Sequence, residues 1–123
     1  MKTVLLVDDE DDIREVAQMS LEVTAGWTIE GANCGTLGIE KALELKPDAI
    51  LLDVMMPDMD GPTTFKKMRE VPELAGIPVI LMTAKVQASD LEHFSAIGVS
   101  GVIPKPFDPM SLAEQVKEIL SWS

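Results

Sequence analysis

Five short apolar runs, each followed by a stretch with helical periodicity, constrain this chain more than any other feature. Thr3–Val7 (TVLLV) has no polar alternation, the mark of a strand covered on both faces. Ile13, Val16, Ala17, Ser20 and Leu21 then recur at helical spacing and predict one buried stripe. Asp11 or Asp12 is placed to cap the start of that helix, and Gly26 ends it. Trp27–Ala32 predicts a second strand, interrupted by Glu30 and Gly31, and Ile39, Ala42 and Leu43 a second helix that stops at Lys46-Pro47. Ala49–Leu52 (AILL) is a third strand, followed by a turn-rich segment, Met55–Pro62, and a helix over Thr63–Arg69 with Phe65 and Met68 inward. Pro78–Met82 and Gly101–Ile103 supply the remaining strands. Ser89–Ile97, closed by Gly98, and Pro109–Ser121, lined by Leu112, Val116, Ile119 and Leu120, supply the remaining helices. Such alternation predicts the α/β class, a doubly wound five-stranded parallel sheet with helices on both faces.

The chain of 123 residues has the length of one domain, with no internal repeat, low-complexity run or linker. The expectation is therefore a single domain over residues 1–123 with no output domain attached. A net charge of −11 with only ten basic residues argues against nucleic acid, which demands clustered Lys and Arg. No apolar run reaches the ~20 residues that span a bilayer, and no signal peptide precedes the first strand, so neither membrane nor export is expected. One cysteine, Cys34, makes no internal disulfide; the expected location is cytoplasmic.

Open parallel sheets bind ligands beyond the carboxyl ends of their strands. After the first strand come Asp8 and Asp9, after the third Asp53, after the fourth Thr83, and just past the fifth Lys105. Each has an ordinary reading alone: loop acids, a turn former, a strand-end hydroxyl, a solvated lysine. Together they occupy equivalent ends of the strands. Three converging carboxylates repel one another and hold protons unless a cation joins them, and Mg²⁺, a hard ion with oxygen ligands, suits them. The arrangement matches phosphoryl transfer, with Asp53 as nucleophile forming an acyl phosphate. Mg²⁺ and Lys105 would neutralise the transferring oxygens, and the Thr83 hydroxyl would donate to them.

The segments LLVDDE (Leu5–Glu10), LLDVMMPDMDG (Leu51–Gly61), LMTA (Leu81–Ala84) and PKPF (Pro104–Phe107) resemble the four signatures of single-domain response-regulator receivers of two-component signalling, in order and spacing. The resemblance covers the whole chain. It implies the strand order 2-1-3-4-5, a phosphoacceptor at Asp53, a switch hydroxyl at Thr83 and a phosphate-binding lysine at Lys105. It also implies metal binding by Asp9, Asp53 and the backbone carbonyl of Met55, with Asp8 acting mostly through water, and a cis Lys105-Pro106 bond. The implied donor is the phosphohistidine of a histidine kinase or phosphotransfer protein. The implied output is a downstream effector protein, docked on the fourth helix, fifth strand and fifth helix, around Ser89–Val102 and Leu112–Ser121. No turnover beyond the protein's own phosphorylation and dephosphorylation is expected.

The sequence departs from that family at three points. Val102 stands where an aromatic ring usually turns inward, Pro104 stiffens the loop before Lys105, and Met55 and Lys85 flank the family's path for attacking water. Two other readings remain. A pseudo-receiver would dock without phosphorylation, with Val102 as its support. A metal-dependent phosphatase of another α/β family would carry a D-x-D motif, whose second Asp is missing from Asp53-Val54-Met55. His93 is expected at the surface, Trp27 and Trp122 in packing, Cys34 as a small inert group, and Met55, Met56 and Met59 as gap fillers or exposed loop residues.

Overall fold

The computed structural model describes residues 2–84 and 87–122. Five strands alternate with five helices: β1 (Thr3–Val7), α1 (Asp11–Ala25), β2 (Thr28–Ala32), α2 (Gly35–Leu45), β3 (Ala49–Asp53), α3 (Gly61–Arg69), β4 (Val79–Thr83), α4 (Ala88–Ile97), β5 (Gly101–Pro104) and α5 (Leu112–Leu120). All strands pair in parallel in the order β2-β1-β3-β4-β5, as the resemblance implied.

The continuous apolar runs are explained by two cores, one on each face of the sheet. Leu5, Val7, Ile50, Leu52, Val79 and Leu81 point to one side and meet Ala42 of α2, Phe65 and Met68 of α3 and Phe94 of α4. Val4, Leu6, Leu51, Ile80 and Met82 point to the other and meet Ala17 and Leu21 of α1 and Leu112 and Val116 of α5. Period-two alternation thus sends neighbouring residues of one strand into different cores, and every residue of β3 and β4 is buried. Fully burying one such leucine contributes roughly 1.5–3 kcal/mol.

Several helix details differ from the sequence expectation. Neither Asp11 nor Asp12 caps α1. Glu10 occupies the cap position without a side-chain bond, and Asp11 instead pairs with Arg14 at 2.6 Å. Val16 and Leu43 stand 46% and 39% exposed, because the inner stripes of α1 and α2 centre on Ala17–Leu21 and Gly38–Ala42. Helix α3 begins at Gly61, two residues early, where Asp60 accepts the Thr63 amide at 2.7 Å and Pro62 falls in the first turn. Pro109 lies outside α5, in a turn held by the Asp108 carboxylate, which accepts from the Met110 amide and the Ser111 hydroxyl. Trp27 and Trp122 pack edge to face, 5.3 Å apart, and Lys2 lies over Trp122. His93 is exposed, Met56 is buried while Met55 is 63% exposed, and Lys85 lies outside the described residues.

Candidate functional site

The strand order places β1 and β3 side by side although β2 intervenes in sequence, so the order in which strands are added to the sheet reverses between them. Val7 lies opposite Leu52, Asp53 opposite Met82, and Thr83 opposite Pro104. The residues that continue these strands are therefore forced to one edge. Backbone bonds extend the ladders past the strand ends: Asp8 N–H to Ala32 O at 3.0 Å, Val54 N–H to Met82 O at 3.1 Å, and Lys105 N–H to Thr83 O at 2.8 Å.

Asp8, Asp53 and Thr83 are all buried, at 0%, 3% and 2% exposure. Lys105 reaches between the two acids, with Nζ 2.9 Å from Asp8 Oδ2, 3.0 Å from Asp53 Oδ1 and 3.9 Å from Glu10 Oε1. Burial pulls an ammonium down, but the bonds to Asp8 and Asp53 outweigh it and hold Lys105 above its ordinary value. Burial lifts the Asp53 carboxyl to about 6. The bond from Lys105 opposes that rise, and the charge of Asp8 and the nearby Asp9 add to it.

One lysine does not satisfy this cluster. Asp9 Oδ1 and Asp53 Oδ2 are buried and accept no hydrogen bond among the described residues. Asp8, Asp9, Glu10 and Asp53 each bring a carboxylate oxygen to within 4.8 Å of the others. An all-oxygen donor set with two unused buried acceptors fits a hard divalent cation, which takes such ligands at about 2.0–2.6 Å.

The loop between β3 and α3 closes over Asp53. Gly61 donates to Val54 O at 2.8 Å, and a Cβ at Gly61 would lie 2.6 Å from Asp53 O, so only glycine allows this return. The same loop is tied to α2. Asp58 accepts from the amides of Gly35 and Thr36, both at 3.1 Å, and from the Thr36 hydroxyl at 3.2 Å, capping a helix whose own cap residue, Cys34, offers no bond. The slight burial of Asp58 favours a raised carboxyl, but the Thr36 and Gly35 amides prevail and hold it below its ordinary value. The Lys105-Pro106 bond is cis, as expected. Beside Lys105 opens a cavity of about 460 Å³ lined by Ile13, Val16, Ala84, Pro106, Phe107 and Pro109, with Glu10 and Asp12 at its rim.

The structure thus brings together the sequence-predicted Asp8, Asp9, Asp53 and Lys105, with Thr83 ending the neighbouring strand. The Met55 carbonyl belongs to the same loop. Sequence reading missed Glu10, which joins the acidic cluster, and Asp58, whose partners lie 22 and 23 residues away.

The profile of the family described as "Response regulator receiver domain" matches residues 4–117. The chain belongs to the response-regulator receiver family. Receiver domains accept phosphoryl groups in two-component signalling and bind Mg²⁺ at an acidic pocket of this kind. Among curated relatives, the receiver is 33% identical to the DNA-binding dual master transcriptional regulator RpaA of Synechocystis sp., over 98% of this chain and 49% of that protein. It is 35% identical to the alkaline phosphatase synthesis transcriptional regulatory protein PhoP of Bacillus subtilis, over 99% of this chain and 50% of that protein. The chain thus spans about half the length of the curated relatives it matches. The chemotaxis response regulator CheY4 of Vibrio cholerae superposes with a TM-score of 0.90 at 30% identity, covering 97% of this receiver and 98% of that chain. No helix among the described residues is long and apolar enough to cross a membrane.

Proposed function

We propose that this receiver takes a phosphoryl group from a protein phosphohistidine onto Asp53 and signals by docking on a downstream protein. The observation that carries the reading is the half-buried Lys105 Nζ lying 2.9 Å from Asp8 and 3.0 Å from Asp53, beside two buried carboxylate oxygens with no partner among the described residues. A lone structural ion pair has no use for Asp9 at the same point, whereas an incoming phosphoryl group needs positive charge gathered around it.

In the proposed step a carboxylate oxygen of Asp53 attacks phosphorus. The O–P bond forms as the N–P bond breaks, and the electron pair leaves with the imidazole, which takes up a proton. Asp9, Asp53 and the Met55 carbonyl would hold Mg²⁺, with Asp8 contributing mostly through water. Bound there, Mg²⁺ supplies the positive charge that offsets the phosphoryl oxygens. Lys105 shifts from carboxylates to the new phosphate oxygens, and the Thr83 hydroxyl donates to one of them, drawing the β4–α4 loop inward. Val102 is partly buried against the core of α2, α3 and α4, so this movement proceeds without an aromatic ring turning. The output surface is α4, β5 and α5, where Leu91 is 39% exposed.

The apolar cavity at the rim of the site favours a protein donor over a small phosphoester, because a small ester gives an open apolar wall nothing to bind. Residues 1–123 act here as one receiver unit, with no turnover beyond their own phosphorylation and dephosphorylation. The charge of −11 argues against direct nucleic-acid contact by this unit, and a cytoplasmic location suits a kinase-fed site.

Incubation with Mg²⁺ and acetyl phosphate, followed by intact mass, tests the reading. A single hydroxylamine-labile phosphoryl group is expected, absent from Asp53→Asn, with amide exchange altered across α4, β5 and α5. No added mass together with no Mg²⁺-dependent beryllofluoride binding would sink it in favour of a constitutive docking module.

A further inference from the structure

Every polar atom of Asp8 is engaged within the fold. Its N–H donates to Ala32 O at 3.0 Å. Its Oδ1 accepts from the Glu10 amide at 2.9 Å and its Oδ2 from Lys105 at 2.9 Å. Its backbone carbonyl accepts from Arg14 Nη1 at 2.8 Å, and the second arm of the same guanidinium reaches Asp11 Oδ1 at 2.6 Å. One planar fork therefore ties together both ends of the β1–α1 turn. Asp9, whose Oδ1 is buried without a partner among the described residues, lies between the two tied residues.

The fork reaches this position along β2. A Cβ at Gly31 would lie 3.1 Å from Arg14 Cδ and 3.4 Å from Nε, tighter than a relaxed contact. Glycine is a poor strand former, yet here it gives the arginine stem its clearance. Lys41 Nζ donates to Gly31 O at 2.5 Å and fixes the same stretch of the edge strand.

We propose that Arg14 is a positioning residue for the metal site and that Gly31 is the clearance it requires: by bridging the Asp8 carbonyl and Asp11, Arg14 sets the turn that aims Asp9 at Asp53. The inference rests on the Mg²⁺ reading above and deepens it. Charge alone predicts the opposite sign. A cation beside a carboxylate cluster repels Mg²⁺, so deleting Arg14 as a mere charge would tighten binding. Lysine keeps the charge but is a compact point donor that does not reproduce the two-armed bridge.

Calorimetric titration of the protein with MgCl₂, with urea unfolding in the same buffer, separates these cases. The wild type is expected to bind, and Asp9→Asn to bind more weakly. Arg14→Lys and Arg14→Ala should each weaken Mg²⁺ on the order of 10-fold, the usual effect of losing an outer-shell support. Gly31→Val keeps Arg14 and its charge and suits a strand, so it should weaken Mg²⁺ comparably while the protein stays folded. Wild-type affinity in both Arg14→Lys and Gly31→Val, or tighter binding in Arg14→Ala, would overturn the proposal while leaving the metal site standing. A wild type that binds no Mg²⁺, or an Asp9→Asn that binds equally well, would remove the metal reading and the positioning role with it.

Discussion

Asp53 is held in two opposed ways, by a lysine that wants it charged and by burial that wants it neutral, and burial prevails to give a value of about 6. The folded metal-free protein therefore binds that proton more tightly than the unfolded chain, whose carboxyl titrates near 3.8. The stability so contributed is complete below 3.8 and lost as pH rises through 6. Asp53→Asn should accordingly stabilise the metal-free protein at pH 7, by an amount on the order of 2–3 kcal/mol. The gain should fade as pH drops below 6 and shrink when millimolar Mg²⁺ is present, which urea titrations at several pH values would read directly. A gain independent of both pH and Mg²⁺ would contradict this account. Asp8, Asp9, Asp53 and Lys105 were legible in the sequence because parallel strands deliver the residues that follow them to a common edge. Arg14 was not, because its task is to reach a backbone carbonyl, and nothing in a residue string marks which carbonyl needs a donor.

At the scale of elements, strand identities and the two-sided burial of the sheet could be read from apolar runs, while helix ends could not. Pro109 looked like a first-turn residue, but Asp108 accepts the Met110 amide and Ser111 hydroxyl, so the chain turns once more before α5 begins. Val16 and Leu43 fit the helical period yet fall at the flank of their stripes, where the neighbouring element decides exposure. The β3–α3 loop is pinned at three places: Gly61 to Val54, Asp60 to the first turn of α3, and Asp58 to the first turn of α2. Asp58→Ala frees two α2 amides, and the expected cost is about 1 kcal/mol in chemical denaturation, in the range of a lost helix cap. Because Asp58 sits below its ordinary value, its contribution is present above the unfolded-state value of 3.8 and is lost as pH falls below it. The difference between wild type and Asp58→Ala should therefore close in acid, and a difference that persists at low pH would argue against the capping role.

At the scale of the whole molecule, the two ends of the sheet have separate duties. The carboxyl end carries the acids, and beside it an apolar strip continues from the cavity at Phe107 along α1, where Val16, Met19 and Val23 are 46%, 65% and 79% exposed, with Met110 at 77% alongside. On the proposed function, this strip beside Lys105 would receive the donor protein, and Glu10, Asp12 and Glu15 among its lining residues would favour a basic rim on that donor. Met19→Glu should slow transfer from a phosphorylated histidine protein by about fivefold or more while leaving the acetyl phosphate rate unchanged. Equal slowing with both donors would place the effect in the site and not in docking. The amino end of the sheet carries Trp27 and Trp122 in edge-to-face contact. The chain has no tyrosine and no other tryptophan, so its near-ultraviolet absorption and emission come almost wholly from that one pair, at the far end of the strands from Asp53. Intrinsic fluorescence of this receiver is thus a gauge of whether the chain just past α5 stays seated against Trp27, and events among the carboxylates should reach it only as far as they shift α5.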